Sequence, residues 1–596
     1  MKRIIFILLP VLIFLSGCES VLEKTPDGQV TLDKILSNYN RSKGLIDVAY
    51  GEIYLNRDGI CFVHNTIDGL TDNTYWADKY NAYEWHNGSL SLSNPVINWL
   101  WASPSEQLWP DFWRGVRLAN NAIKYLPQST AISERERDTW VAEARVLRCW
   151  YYMNLLEFYG PLPWIEEPLQ EDYRGWNDLK RPTYDEIATK ISDEIMDVVN
   201  SGMLPNRQSP SEARHVDNGV AYAIRARVLL NNASLLNNPT HDNKKWQRAA
   251  DAAQDVLNMS EYSLVPMKDY KKLFIGAFAN PVSEIIWRSW SDNSHINITN
   301  GVDVGTYTSS DHSISIGHVW GCGDNPTQEL VDCFEMKNGS LPVTYNDATR
   351  TNITVTPGAA AMGYSEAPGG DPYSNRDARF YVDILYNMAN YGVPYNCKEP
   401  FIVETFVGGK NGFNDFITEP ATNSCTGYYN CKDTQIKYFG SGGSKGNEPT
   451  HWVFFRLAEF YLNKAEALCE LGDLDGALSA LNVVRERALQ PKLQDVKEFQ
   501  KTHDFILSRI RNERRVEFCM EGWRFHDQRR WKILDKTNNF VTGMRITKDD
   551  KNKFHYQRKK IRDYQSGTDK YLVLPIPLED AKKMTSMTQP AAWQKK

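Results

Sequence analysis

Apolar residues recur every three or four positions along several stretches near both ends of the chain, which is the period of one buried helix face. Between Ser133 and Tyr159 the stripe is Trp140, Ala144, Leu147, Tyr151, Leu155 and Phe158. Ser133 with Glu136 matches a capping box at its start, and Gly160-Pro161 stops it. Thr183 with Glu186 opens a second helix, with Ile187, Ile191, Ile195 and Val198 as its buried face and Gly202 beyond its end. Asn218 to Leu236 and Trp246 to Leu257 read as two more. Before these, Leu32 to Leu55 and Trp109 to Leu126 carry the same period. Late in the chain His451 to Leu471 reads as a helix and residues 472–476 as a turn. Ala477, Leu478, Leu481, Val484 and Ala488 then mark a partner helix.

The helical pattern lapses twice. A loop of about fifty residues separates Leu55 from Trp109, and a loop that long is usually functional or carries small structure of its own. From Tyr262 to Thr450 Gly, Asn, Thr, Pro and aromatics dominate, and the segment predicts loops, short strands and short helices packed on the frame. Elsewhere, helix pairs with alanines at their crossings partly match tetratricopeptide (TPR) repeats. The domain reading is therefore residues 18–260 as a helical region with a ligand loop near 56–108, 261–450 as an insertion, and 451–596 as a closing helical region.

The first residues change the compartment. Lys2 and Arg3 precede a twelve-residue apolar run, Ile4 to Leu15, too short for a membrane-spanning helix but right for a secretory signal. Leu15-Ser16-Gly17-Cys18 then has the order of a bacterial lipobox, so residues 1–17 read as a lipoprotein signal peptide and Cys18 as the acylated first residue. Losing Lys2 and Arg3 shifts the formal net charge from -6 to -8 and leaves nine cysteines. An odd number leaves at least one unpaired. Cys322 with Cys333, or Cys425 with Cys431, are the pairings left open.

Composition then narrows the function. A mildly acidic chain offers no general field for nucleic acid. No HExxH, Walker A or GxGxxG segment occurs, and no cysteine spacing suggests zinc. Gly442 to Gly446 fits G-x-S-x-G only formally, within a Gly/Ser run that lacks the strand and helix of a nucleophile elbow. Asp473 and Asp475 lack the other ligands of an EF-hand. No cofactor is expected and no motif points to catalysis, while paired carboxylates for glycoside hydrolysis stay open among 74 acids, as does structural calcium.

Several segments together resemble the SusD/RagB family of Bacteroidetes surface lipoproteins. They are Glu143-Ala144-Arg145 through Tyr152 with Tyr159-Gly160-Pro161-Leu162-Pro163, and Asn325-Pro326-Thr327-Gln328-Glu329-Leu330 through Gly339. Phe455-Arg456-Leu457-Ala458-Glu459 and Arg511-Asn512-Glu513-Arg514-Arg515 follow, then Glu521-Gly522-Trp523-Arg524-Phe525 with Arg529-Arg530-Trp531. Leu574-Pro575-Ile576-Pro577 and Gln589-Pro590-Ala591-Ala592-Trp593 close the series, the last with Ala-Ala where the family has Pro-Gly. The resemblance implies a mostly α fold of four TPR-like helix pairs in a right-handed superhelical frame, carrying a large loop-rich insertion. It implies a cell-surface protein, lipid-anchored to the outer membrane, that delivers cargo to a SusC-like TonB-dependent transporter. The cargo expected is a glycan. The alternatives are peptide, as in the RagB branch, and more remotely a surface glycoside hydrolase.

A sugar binder wants flat aromatic rings for C–H faces, ringed by groups that take hydroxyls. Aromatics make up 12% of the chain, and two regions supply that mixture: the loop near 56–108 and the start of the insertion, residues 287–320. The residues nominated are Trp76, Trp85, Tyr307 and Trp320 as platforms, with Asp72 and Asn73 as hydroxyl partners. Trp287, alternating with Ile285, reads as core. Glu513, Glu517 and Glu521, spaced by four among arginines, read as a structural charge ladder on one helix rather than a catalytic site.

Overall fold

The computed structural model describes residues 30–55, 61–62, 65–76, 83–93, 108–170, 172–276, 282–288, 324–393, 398–412, 424–432 and 452–594. Within them the frame is built from helices α1 (Tyr39–Leu55), α2 (Leu108–Tyr125), α3 (Glu134–Tyr159), α4 (Tyr184–Ser201), α5 (Asn218–Ala233) and α6 (Asn243–Leu257). It continues with α7 (Leu457–Glu470), α8 (Leu474–Arg487), α9 (His503–Glu517) and α10 (Trp523–Arg530). From α2 to α9 each helix packs on its successor in chain order. This holds even from α6 to α7, where the insertion intervenes, so the insertion bulges from a frame that continues beneath it.

Local chemistry explains the helix ends. Ser133 accepts from the backbone N–H of Glu136 while the Glu136 carboxylate accepts from the backbone N–H of Ser133, the reciprocal box expected. Thr183 and Glu186 repeat it, and Gly202 leaves α4 with a left-handed φ of 66°. Gly115 has a different task. A Cβ there would lie 2.4 Å from the Tyr151 ring, so α2 and α3 cross this closely only because the side chain is missing.

Two expected helices are shorter than their patterns. The Leu32 to Leu55 stretch divides into Leu32–Leu36 and α1, with Ser37 capping the first piece. The stretch from His451 begins as a strand. Val453-Phe454-Phe455-Arg456 is buried on both faces and pairs antiparallel with Ile285–Arg288, so helix α7 starts only at Leu457. A run of β-branched and aromatic residues buried on both sides suits a strand, and the helical period ahead of Leu457 was coincidental. These strands, β2 (Ile285–Arg288) and β4 (Val453–Arg456), staple the insertion to the frame.

Among the described residues the longest strands lie where no strand was expected. β5 (Phe540–Lys548) and β6 (Phe554–Asp563) form a hairpin. β6 carries so many charges that its alternation is hidden. Its buried Arg558 faces Asp332 and Glu366 rather than water.

The main apolar core gathers around α2, α3 and α5. Trp150 stands edge-on to Trp287 with ring centroids 4.9 Å apart, and Trp287 is core as read. A second cluster fills the space among α7, α8 and α9.

Candidate functional site

The site is best built from its floor. Residues Ile67–Leu70 make a short buried turn, and strand β1 (Thr74–Trp76) follows at once. β1 pairs antiparallel with β3 (Asp324–Pro326), with Trp76 opposite Asp324 and Tyr75 opposite Asn325. One nominated loop therefore leaves the frame at Trp76, directly across from where the other nominated loop rejoins it. Their other ends are held separately: α2 resumes at Leu108, and the insertion departs from β2, which is paired with β4.

The β1–β3 junction is fixed from below by charge. Arg524 grips Asp72 with two hydrogen bonds, 2.8 Å to Oδ1 and 3.0 Å to Oδ2, and Gln528 donates to the same carboxylate. Arg515 donates to Asn73 Oδ1 at 2.7 Å and to the Asp72 carbonyl at 2.9 Å. Thr327, just past β3, donates its hydroxyl to that carbonyl and its N–H to the Asn73 carbonyl. Burial alone would raise the Asp72 carboxyl, but the Arg515 and Arg524 charges outweigh it and hold it at about 2. On β1, burial pushes the half-buried Tyr75 phenol up to about 12.

This geometry corrects three nominations. Asp72 is 3% exposed and Asn73 fully buried, so both are structural partners of arginines rather than hydroxyl acceptors for cargo. Trp85 is also fully buried. Its indole N–H donates to the Leu70 carbonyl at 3.0 Å, and its ring stands edge-on to Tyr571 at 4.7 Å and packs on Phe525. It is core because its segment folds back onto α10, a contact no local pattern announces. Trp76 is the last residue of β1, and its side chain lies outside what the structure describes. Tyr307, Trp320 and Cys18 lie outside the described residues.

The charged ladder is also rearranged. Helix α9 ends at Glu517 and Gly522 turns the chain in a left-handed conformation, so Glu521 is not on the same helix. Glu517 is surrounded by Arg379, Arg456 and Arg487, and Glu513 by Arg379 and Arg485. Arg456 also reaches Glu284 and Glu521, and Lys432 reaches Glu521. The network is structural, as read, but it is buried and ties α9 to the insertion rather than running along one helix. Burial would raise the Glu517 carboxyl, yet Arg487, Arg456 and Arg379 hold it well below its usual range. Among the described residues Cys333, Cys425 and Cys431 carry no disulfide, and Cys322 lies outside them. Among the described residues no three His, Cys, Asp or Glu side chains gather as a metal site would require.

One apolar cavity escaped the sequence reading. It encloses about 330 Å³ between α2, the stretch after α3 and the C-terminal residues, with Trp109, Trp113, Trp176, Ile165 and Met584 in its walls. Trp109 and Trp113 are four apart on α2, which is the only local trace of it. Asp580 already accepts from the Trp109 indole at 2.8 Å, and Asn120 is engaged by Arg148 and the Ile165 carbonyl. The recess offers rings but few free hydroxyl partners.

The architecture defines a helical-frame protein in which one end of each nominated loop meets the other at the β1–β3 pair. Residues 283–593 match the model of the SusD family, and residues 22–230 match a second model described as starch-binding associating with outer membrane. The chain belongs to the SusD family. It is 25% identical to a SusD-like protein of Bacteroides ovatus over 468 residues, 75% of this chain and 71% of that one. A SusD-like protein of Formosa agariphila is 23% identical over 95% of this chain and 93% of its own length. Among solved structures, a SusD-like protein from Bacteroides fragilis superposes with a TM-score of 0.73 at 23% identity, covering 95% of this chain and 100% of the other. Surface glycan-binding protein A from Bacteroides thetaiotaomicron, in complex with laminarihexaose, gives a TM-score of 0.53 at 18% identity over 93% of this chain and 99% of that one.

Proposed function

We propose that the protein is a lipid-anchored glycan-binding component of an outer-membrane uptake system. It retains an oligo- or polysaccharide at the cell surface without cleaving it and passes it to a SusC-like TonB-dependent transporter. The observation that carries this reading is the β1–β3 pair, which sets one end of each aromatic-rich loop beside the other in a chain of the SusD family. Both the family description, starch-binding associating with outer membrane, and the laminarihexaose complex of a structural neighbour support a glycan over a peptide. Trp76, Tyr307 and Trp320 remain the proposed platforms. The lipobox at Cys18 supplies the anchor, and the helical frame is the side proposed to meet the transporter.

Affinity electrophoresis through gels containing single polysaccharides tests the reading. Retardation in at least one gel, with no sugar released into solution, is the expected result. Soluble product would make it a hydrolase, and binding confined to a peptide panel would move it to the RagB-type alternative. Intact mass of membrane-extracted protein should show acylated Cys18; a free terminus elsewhere would remove the anchor.

A further inference from the structure

A cavity of about 210 Å³ lies where the C-terminal residues close over the end of α3, and Arg181 and Arg529 both line it. Neither forms an ion pair with a described carboxylate. Arg529 is 2% exposed and spends its donors on the carbonyls of Leu572, at 2.9 Å, and Phe158, at 3.1 Å. Arg181 donates to the carbonyls of Thr588, Tyr159 and Pro161. Each guanidinium keeps one buried nitrogen with no acceptor among the described residues, Nη2 of Arg181 and Nη1 of Arg529.

The local charge does not close. The Phe158 and Tyr159 carbonyls belong to the C-terminus of α3, whose dipole supplies about half a negative charge against two cations. Arg530 also lines the cavity, but it is neutralised by Glu466 and Asp527. Glu157 is the carboxylate among the lining residues. It accepts from Asn231 at 3.0 Å and faces the His526 ring at 3.8 Å. Burial raises its pKa to about 7, so near neutrality it is only partly charged. Burial likewise lowers Arg529 to about 9 and Arg181 to about 10, the direction expected of buried cations short of counter-charge. An uncompensated buried charge is costly, and a counter-ion from solvent relieves it.

We propose that this cavity binds a small oxyanion, phosphate, sulfate or carboxylate, held by Arg181 and Arg529. Planar guanidinium groups suit such ligands because their N–H pairs match two oxygens at once. A water occupies about 30 Å³ of liquid volume, so the cavity has room for one such ion with residual water. The bound ion would tie the segment around Leu572 and Thr588 to the end of α3. The inference does not rest on the proposed cargo, since none of the nominated platforms lines the cavity.

Titration calorimetry with inorganic phosphate, and separately with acetate, at pH 8, where Glu157 is mostly ionised and both arginines are still mostly charged, and at matched ionic strength in chloride tests it. Saturable binding of one equivalent is expected, and the two arms tell a tetrahedral ion from a carboxylate. Arg181→Gln should weaken binding at least tenfold. Glu157→Gln, which removes a competing negative charge without touching the arginines, should tighten it severalfold, and it serves if the arginine variant misfolds. No saturable binding of either ion, or affinities unchanged in both variants, would overturn the assignment.

Discussion

Asp72 and Arg524 lie 452 positions apart in the chain and meet in a two-pronged ion pair under the strand that carries Trp76. The first nominated loop is thereby anchored to helix α10 of the C-terminal region. The pair is one of position, and its removal tests stability before it tests binding.

Asp72→Asn leaves Arg515 and Arg524 buried without their carboxylate. Loss of one partner of a buried pair costs about 3–5 kcal/mol. Chemical unfolding at pH 7 should show a loss of that order. If the melting curve were unchanged while polysaccharide retention fell, Asp72 would be a cargo ligand after all.

The same carboxyl predicts a pH dependence. Its folded pKa, about 2, lies below the ordinary 3.8, so its stabilisation is complete above pH 4 and fades as pH falls toward 2. The linked contribution is about 2 kcal/mol by that difference. The stability gap between wild type and Asp72→Asn should therefore narrow between pH 4 and pH 2.5 in parallel urea titrations.

Trp85 and Trp76 should separate cleanly. Trp85→Ala opens a hole beside Phe525 and Tyr571 and should cost about 3–5 kcal/mol in unfolding free energy. Trp76→Ala, Tyr307→Ala and Trp320→Ala should instead weaken polysaccharide retention with little change in melting temperature. A large thermal shift in any of those three would place that ring in the core.

Gly115→Ala probes the frame itself. Its added methyl group meets the Tyr151 ring, and such overpacking typically costs about 1–3 kcal/mol. Calorimetry should show the loss. A neutral result would mean that α2 can shift away from α3 without penalty.

Helices were the most legible part of the chain, because caps and apolar periods act within a few residues. The Ser133–Glu136 and Thr183–Glu186 boxes fell where expected. Val453 to Arg456 misled because only its distant partner, Ile285–Arg288, makes it a strand. The hairpin of β5 and β6 was missed because Arg558 occupies an inward position, satisfied by acids more than 190 residues away.

The candidate site divides the same way. Loop length and aromatic content pointed to two regions, and among the described residues one end of each is paired at β1–β3. Nothing local could reveal that Asp72 and Asn73 serve arginines or that Trp85 faces inward, since each fate depends on residues some 440 or more positions away. Caps and apolar periods are short-range chemistry, and the sequence determined them by itself. Which polar groups are spent on the interior, and which remain for a ligand, is decided by long-range packing, because burial is a property of neighbours the chain order does not name.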